Sequence, residues 1–220
     1  MIQTSPTITF IDERSKEIYE KKEHAVITIS PFNSYYNEQR IEQIIEWTVK
    51  ESFKTFHIFT GDGLWVYNFL ALGYSEKEAL QKTKKEDSFL HRRIKRVLDK
   101  WSISHIVILD YQSFKENIFY NEQVQKYKKL IKTDFELQTI LSKIVENMNV
   151  QKFRNVSLVD KEMAFNYFLE EMPVLLNSPE LFQVNSSCFI YHQNNMMYHY
   201  LYLMKKMQAC NQGFINLKFD

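Results

Sequence analysis

Five consecutive residues, Ala25-Val26-Ile27-Thr28-Ile29, leave the chain little choice of structure. All but the alanine are β-branched, and no polar residue alternates with them to mark a solvent face. Such a run suits an interior strand of a parallel sheet covered on both sides. It stops at Ser30, continues through Pro31, Phe32, Asn33 and Ser34, and gives way to a strongly periodic helix. Ligands of open α/β sheets bind outside the carboxyl ends of the strands. Ser30 is therefore placed where a nucleophile would be useful. Ser30 and Ser34 fit equally well as turn and N-cap residues.

The alternation continues along the chain. An apolar segment at Ile8–Ile11 and a charged stretch at Asp12–Glu23 form an edge extension. Ile41, Ile44, Ile45 and Val49 define a helix over Asn37–Phe53, and a second strand is expected at Thr55–Thr60. Gly61-Asp62-Gly63 then reads as a tight turn, beside a ligand or simply as a turn. A short buried helix, Leu64–Leu72, ends at Gly73. Ser75 and Glu78 form a capping box that opens a helix running to about Trp101. Leu90, Ile94, Val97, Leu98 and Trp101 make its apolar stripe, opposite Lys82, Lys85, Arg92, Arg93, Lys95, Arg96 and Lys100. That basic side reads as a solvated face or as a track for phosphates. A third strand is expected at His105–Asp110 and a long helix over Tyr120–Met148. A helix over Lys161–Leu175 follows, which Pro173 should bend or end. Further strands are expected at Val184–Tyr191 and Phe214–Phe219, with helix and loop near the site mouth between them.

The pattern specifies a single α/β domain over residues 1–220, with a mostly parallel, Rossmann-like sheet flanked by helices. A chain of 220 residues with 45% hydrophobic content can bury one substantial core. Its net charge of +1 means that any affinity for nucleic acid must come from local clustering. Cys188 and Cys210 form neither a disulfide framework nor a zinc spacing. No run of about 18 apolar residues occurs, so a soluble, cytoplasmic, monomeric protein is expected. There is no GxGxxG, no GxxxxGK[ST] and no GxSxG around Ser30, which removes dinucleotide, P-loop and α/β-hydrolase readings.

Four motifs together resemble the cyclodipeptide synthases. His24, Ser30, Asn33, Ser34 and Tyr35 match the family's serine signature. The basic helix lies at the family's position in the chain. Tyr167, Glu171 and Pro173 match its Tyr-x-x-x-Glu-x-Pro signature, although Tyr and Glu four residues apart are also an ordinary pair on one helix face. Tyr191-His192 matches its Tyr-His pair at a strand end. With Asn33, this pair indicates the branch of the family marked by Asn, Tyr and His. Thr28 departs from the pattern, since the family usually has Gly there, and should narrow the pocket for the first aminoacyl side chain.

The resemblance implies the fold of class Ic aminoacyl-tRNA synthetase catalytic domains and a ping-pong reaction that joins amino acids from two aminoacyl-tRNAs, without ATP or metal. Ser30 would carry the aminoacyl and dipeptidyl groups, with Tyr191 orienting it, Asn33 organising the loop and His192 beside them. Tyr167 and Glu171 would hold the amino group. Val26, Thr28, Phe59, Val174 and Phe189 would line the first side-chain pocket, suited to a hydrophobic amino acid such as Leu. Lys85, Arg92, Arg93, Lys95, Arg96 and Lys100 would dock tRNA. An unassisted serine is a poor nucleophile, but an aminoacyl ester is activated, so transfer needs mainly positioning, a hydrogen-bonded serine and a stabilised oxyanion. A tRNA-binding homologue without catalysis and a serine esterase or acyltransferase are the rival readings.

Overall fold

A computed structural model describes residues 5–101, 106–152 and 160–219. Six strands form one sheet in the order β1-β6-β5-β2-β3-β4. They are β1 (Thr7–Phe10), β2 (His24–Thr28), β3 (Thr55–Phe59), β4 (Ile108–Leu109), β5 (Ser187–Tyr191) and β6 (Gln212–Lys218). Only the β1–β6 edge pair is antiparallel. The β-branched run lies between β5 and β3, buried at every position. The chain leaves β2 toward β3 on one side and returns through β5 on the other, so the carboxyl end of β2 is a topological switch point.

Alternate strand residues feed two cores. Ala25, Ile27, Ile58, Ile190 and Ile215 pack with α1 (Glu13–Glu20), α2 (Glu38–Lys50) and the stripe Leu90, Ile94, Val97 and Leu98 of α4 (Glu76–Lys100). Val26, Phe59, Phe189 and Phe214 pack on the other face. Their partners there come from α3 (Trp65–Ala71), α5 (Ile118–Thr133), α6 (Phe135–Lys152) and α7 (Lys161–Leu176). The capping box at Ser75 and Glu78 is formed. Gly73, which ends the segment after α3, has φ +84°.

Four expected elements differ. The helix over Tyr120–Met148 is two, because Asp134 ends α5 and its Oδ1 accepts the Leu137 N–H at 3.1 Å to cap α6. The apolar period runs through this point and conceals the break. The third strand shrinks to Ile108–Leu109, at the edge of the sheet among the described residues and paired with β3, while His105 lies outside the described residues. The strand expected from Val184 begins at Ser187, since Glu23 holds the Asn185 N–H and the Ser186 hydroxyl in a loop. Finally, α7 runs through Pro173 to Leu176. Met172, Val174, Leu175 and Leu176 are all buried, and this packing offsets the hydrogen bond that proline cannot make. Two short helices, α8 (Ser178–Phe182) and α9 (Met196–His199), flank β5 in the chain, and a π-helical turn follows at Tyr200–Met204.

Candidate active site

The register of the sheet assembles the site. Ile27 is opposite Ile190, so the loop after β2 and the end of β5 emerge side by side. Ser30 Oγ lies 3.3 Å from Tyr191 Oη. Burial pushes the Tyr191 phenol up to about 12, so it stays protonated and can orient the serine by donating or accepting. The Ser30 loop is held tightly. Asn33 Oδ1 accepts the Tyr35 N–H at 3.0 Å, and the Tyr36 N–H returns to the Asn33 carbonyl at 3.1 Å. Phe32 takes a left-handed conformation, φ +59°, and its ring packs on Trp65 and Phe69. A phenylalanine in that region is strained.

His192 braces this loop. Its Nε2 lies 3.4 Å from Asn33 Nδ2, its Nδ1 lies 2.9 Å from Tyr36 Oη, and its ring stacks on Tyr35. Because Asn33 Oδ1 already accepts the Tyr35 N–H, the amide must donate to Nε2, which assigns the proton to Nδ1. Burial holds the imidazole down at about 4. His192 is therefore neutral, with both nitrogens engaged, and acts as a brace rather than a base.

Tyr167 and Glu171 project from one face of α7 into the same cavity, about 390 Å³ in volume, lined also by Ser30, Tyr191, Trp65 and Tyr198. Glu171 is buried, and its Oε2 accepts the Tyr198 hydroxyl at 3.3 Å. Burial raises its carboxyl to about 7, against the lowering effect of Tyr198. Tyr167 is raised well above the usual phenol range by burial, then by Glu171. A buried carboxylate beside neutral phenols is a socket for one ammonium group, and near neutrality it can also take a proton.

The residues expected to form the first side-chain pocket do not line this cavity. Val26, Thr28, Phe59, Val174 and Phe189 lie in the core, and Val26, Phe59, Val174 and Phe189 belong to one packed cluster. Phe189 packs on Tyr198 and Phe214, and Phe59 on Phe114. Thr28 Oγ1 is buried without a partner among the described residues.

The basic side of α4 also divides. Arg96 pairs with Glu38 and Lys100 with Glu42, both on α2. Arg93 turns inward and donates to the Tyr36 carbonyl at 2.7 Å. Lys85, Arg92 and Lys95 are left exposed. Sequence reasoning missed Tyr198, Trp65 and Tyr36. Tyr198 lies in a Met- and Tyr-rich stretch with no periodicity, and only the pairing of β5 with β2 brings it to Glu171.

The family model described as Cyclodipeptide synthase matches residues 7–218. A cyclo(L-leucyl-L-leucyl) synthase of Staphylococcus haemolyticus is 30% identical over 196 residues, covering 84% of this chain and 82% of that protein. The crystal structure of a cyclodipeptide synthase from Bacillus thermoamylovorans superposes with a TM-score of 0.87 at 24% identity, covering 100% of this chain and 98% of that one. A tyrosyl-tRNA synthetase from Archaeoglobus fulgidus shares the fold at a TM-score of 0.57 and 10% identity, covering 94% of this chain and 59% of that one.

Proposed function

We propose a division of labour within this site from the premise that the chain belongs to the cyclodipeptide synthase family and is an enzyme using aminoacyl-tRNAs. Ser30 Oγ attacks the ester carbonyl of a first aminoacyl-tRNA. The bond to the tRNA ribose oxygen breaks, that oxygen takes up a proton, and the aminoacyl group remains on Ser30. Tyr191 orients the hydroxyl for this attack. The new α-ammonium sits between Glu171 and Tyr167, and Glu171 takes its proton.

The freed amine attacks the ester of a second aminoacyl-tRNA, releasing that tRNA and leaving a dipeptidyl group on Ser30. The terminal amine then attacks the seryl ester, which closes the six-membered diketopiperazine ring and returns the proton to Ser30. Two aminoacyl-tRNAs are consumed per product, and nothing in the sequence of steps calls for ATP. Hydrophobic amino acids, Leu first, are the proposed substrates. The support is the cyclo(L-leucyl-L-leucyl) product of the Staphylococcus haemolyticus relative and the aromatic lining given by Phe32, Trp65 and Phe168.

The observation that carries this reading is one cavity holding Ser30, Tyr191, Tyr167 and Glu171 together. It is tested by the intact mass of the purified protein after incubation with leucyl-tRNA. One added leucyl residue is expected on the wild type and none on Ser30→Ala. An adduct that persists in Ser30→Ala overturns the role of the serine, and undiminished diketopiperazine formation by Glu171→Gln overturns that of the glutamate.

A further inference from the structure

Tyr198 reaches Glu171 from α9, a helix of a single turn. Helices that short do not hold their own orientation and depend on what they are attached to. The attachment here is the π turn Tyr200–Met204, closed by the Lys205 N–H on the Tyr200 carbonyl at 3.0 Å. Turns of this kind are rare and occur mostly at functional sites.

The turn is held from two sides. Tyr202 is fully buried, its hydroxyl donates to the Gln212 carbonyl at 2.8 Å, and it lies 3.1 Å from Ser15 Oγ. That contact ties the turn to β6 and α1. The Tyr200 hydroxyl lies 3.0 Å from each oxygen of Asp134, and Lys205 Nζ lies 3.0 Å from Asp134 Oδ2. Residues five apart fall on well-separated faces of an α-helix, which has 3.6 residues per turn. A π turn, whose hydrogen bonds close over five residues, brings them to one face. A carboxylate that collects both Tyr200 and Lys205 therefore favours the π turn over an α turn.

Asp134 is suited to this task. Its side chain is 9% exposed. Burial alone would raise its carboxyl, but the Leu137 N–H, Lys205 and Tyr200 together hold it below the usual carboxylate range. The same carboxylate caps α6 through Leu137, and α6 contributes Ile144 to the wall of the serine cavity, alongside Tyr198. One residue thus joins two walls of the site without lining it.

We infer that Asp134 is a positioning residue of this enzyme: by gathering Tyr200 and Lys205 it holds the π turn, and the turn sets Tyr198 against Glu171. Its effect on rate rests on the synthase reading, whereas its effect on Glu171 does not. The other titratable groups that face this carboxyl are Tyr167 on its own helix, Tyr191 at the end of β5, and Tyr36. All three are phenols raised by burial, and burial holds His192, in the same cavity, down at about 4. All four are neutral near pH 7, so the hydrogen bond from Tyr198 is the contact that Glu171 registers.

The test follows that carboxyl by carbon NMR of protein labelled at the glutamate side-chain carboxyls, its signal identified by its absence in Glu171→Gln. Tyr200→Phe keeps the ring and the α6 cap but removes one grip on Asp134. It should raise the Glu171 midpoint by roughly half to one pH unit, the weight of a weakened hydrogen bond. Tyr198→Phe should raise it at least as far, and the double variant no further than Tyr198→Phe alone. With leucyl-tRNA, kcat of Tyr200→Phe near pH 7 should fall roughly 2- to 5-fold, which is that shift expressed as carboxylate lost. It should recover at about pH 9, with KM unchanged throughout. An unmoved Glu171 midpoint in folded Tyr200→Phe, or shifts that add in the double variant, overturns the positioning role. So does a loss of kcat that persists undiminished at about pH 9. If Tyr200→Phe does not fold, Lys205→Met removes the other grip and decides by the same readings. Absence of diketopiperazine from the wild type with every charged tRNA would mean that the synthase reading has failed, while the carboxyl titration still decides the role of Asp134.

Discussion

Glu171 shows how a single residue trades stability for chemistry. Its carboxyl is raised from 4.5 to about 7 by burial, so the folded state binds more protons than the unfolded state between those values. The sign follows directly: this residue's contribution to stability falls as pH rises through that window, by on the order of 3 kcal/mol once it is fully ionised. Urea denaturation of Glu171→Gln should lack this loss, so the variant gains on the wild type from pH 5 to pH 8 while losing activity. The wild-type rate should rise with pH around 7 as the carboxylate forms. Tyr198→Phe removes the hydrogen bond that lowers the carboxyl, so its pH–rate profile should shift to higher pH. A profile unmoved by Tyr198→Phe would show that another group controls it. The two turn glycines separate in the same way. Gly61, at φ +59°, has ordinary room for a Cβ, whereas Gly63, at φ +79°, has none beside Tyr111. Thermal melts should show Gly61→Ala costing about 1 kcal/mol, the left-handed penalty, and Gly63→Ala clearly more. The Tyr-Glu spacing was legible in the sequence. The burial that raises the Glu171 carboxyl was not, because it comes from segments distant in the chain, among them those carrying Trp65, Tyr191 and Tyr198.

At the scale of elements, α4 is two devices on one helix. Its capping box, apolar stripe and excess of cations are visible in the sequence. Which cations face solvent is not, because Glu38 and Glu42 of α2 engage Arg96 and Lys100, and the Tyr36 carbonyl engages Arg93. Arg93 thereby connects the helix to the serine loop through Tyr36 and His192. Steady-state kinetics should separate the two roles. Arg93→Ala should lower kcat about tenfold with little change in KM, in keeping with the loss of a charge-assisted hydrogen bond. Arg92→Ala should raise KM for aminoacyl-tRNA and flatten its dependence on salt, as loss of a phosphate contact does. The same effect on KM from both would remove the positioning role. The break at Asp134 teaches a related lesson, since the residue that ends α5 also caps α6 and receives Tyr200 and Lys205 from a distant segment.

For the whole molecule, one source of acid sensitivity lies at the amino end of the strands, opposite the site. His24 is buried between Ser187 and His57, and burial then His57 lower its imidazole from 6.5 to about 3. The unfolded chain therefore binds the extra proton between those values. Stability from this residue is fully present above 6.5 and is lost progressively as pH falls toward 3. His24→Asn should cost stability at pH 7.5, and the gap to the wild type should narrow steadily below pH 6.5 when followed by denaturant titration. A constant gap would mean that only packing is lost. The same residue begins the strand that leads to Ser30, so Ser30 and His24 stand at opposite ends of the sheet, as the length of the run requires.

The sequence alone determined the local elements and their order, because period, caps and turn residues act over a few neighbouring positions. It also carried the serine, the Tyr-Glu pair and the terminal Tyr-His, since those side chains are chemically distinctive wherever the chain puts them. Tertiary structure decided which groups meet. Ser30 reaches Tyr191, and Glu171 reaches Tyr198, only through the β2–β5 register and the packing of α7. It also decided which basic residues pair with α2 and which are left exposed. These outcomes depend on contacts between segments far apart in the chain, and a local pattern carries no information about such contacts.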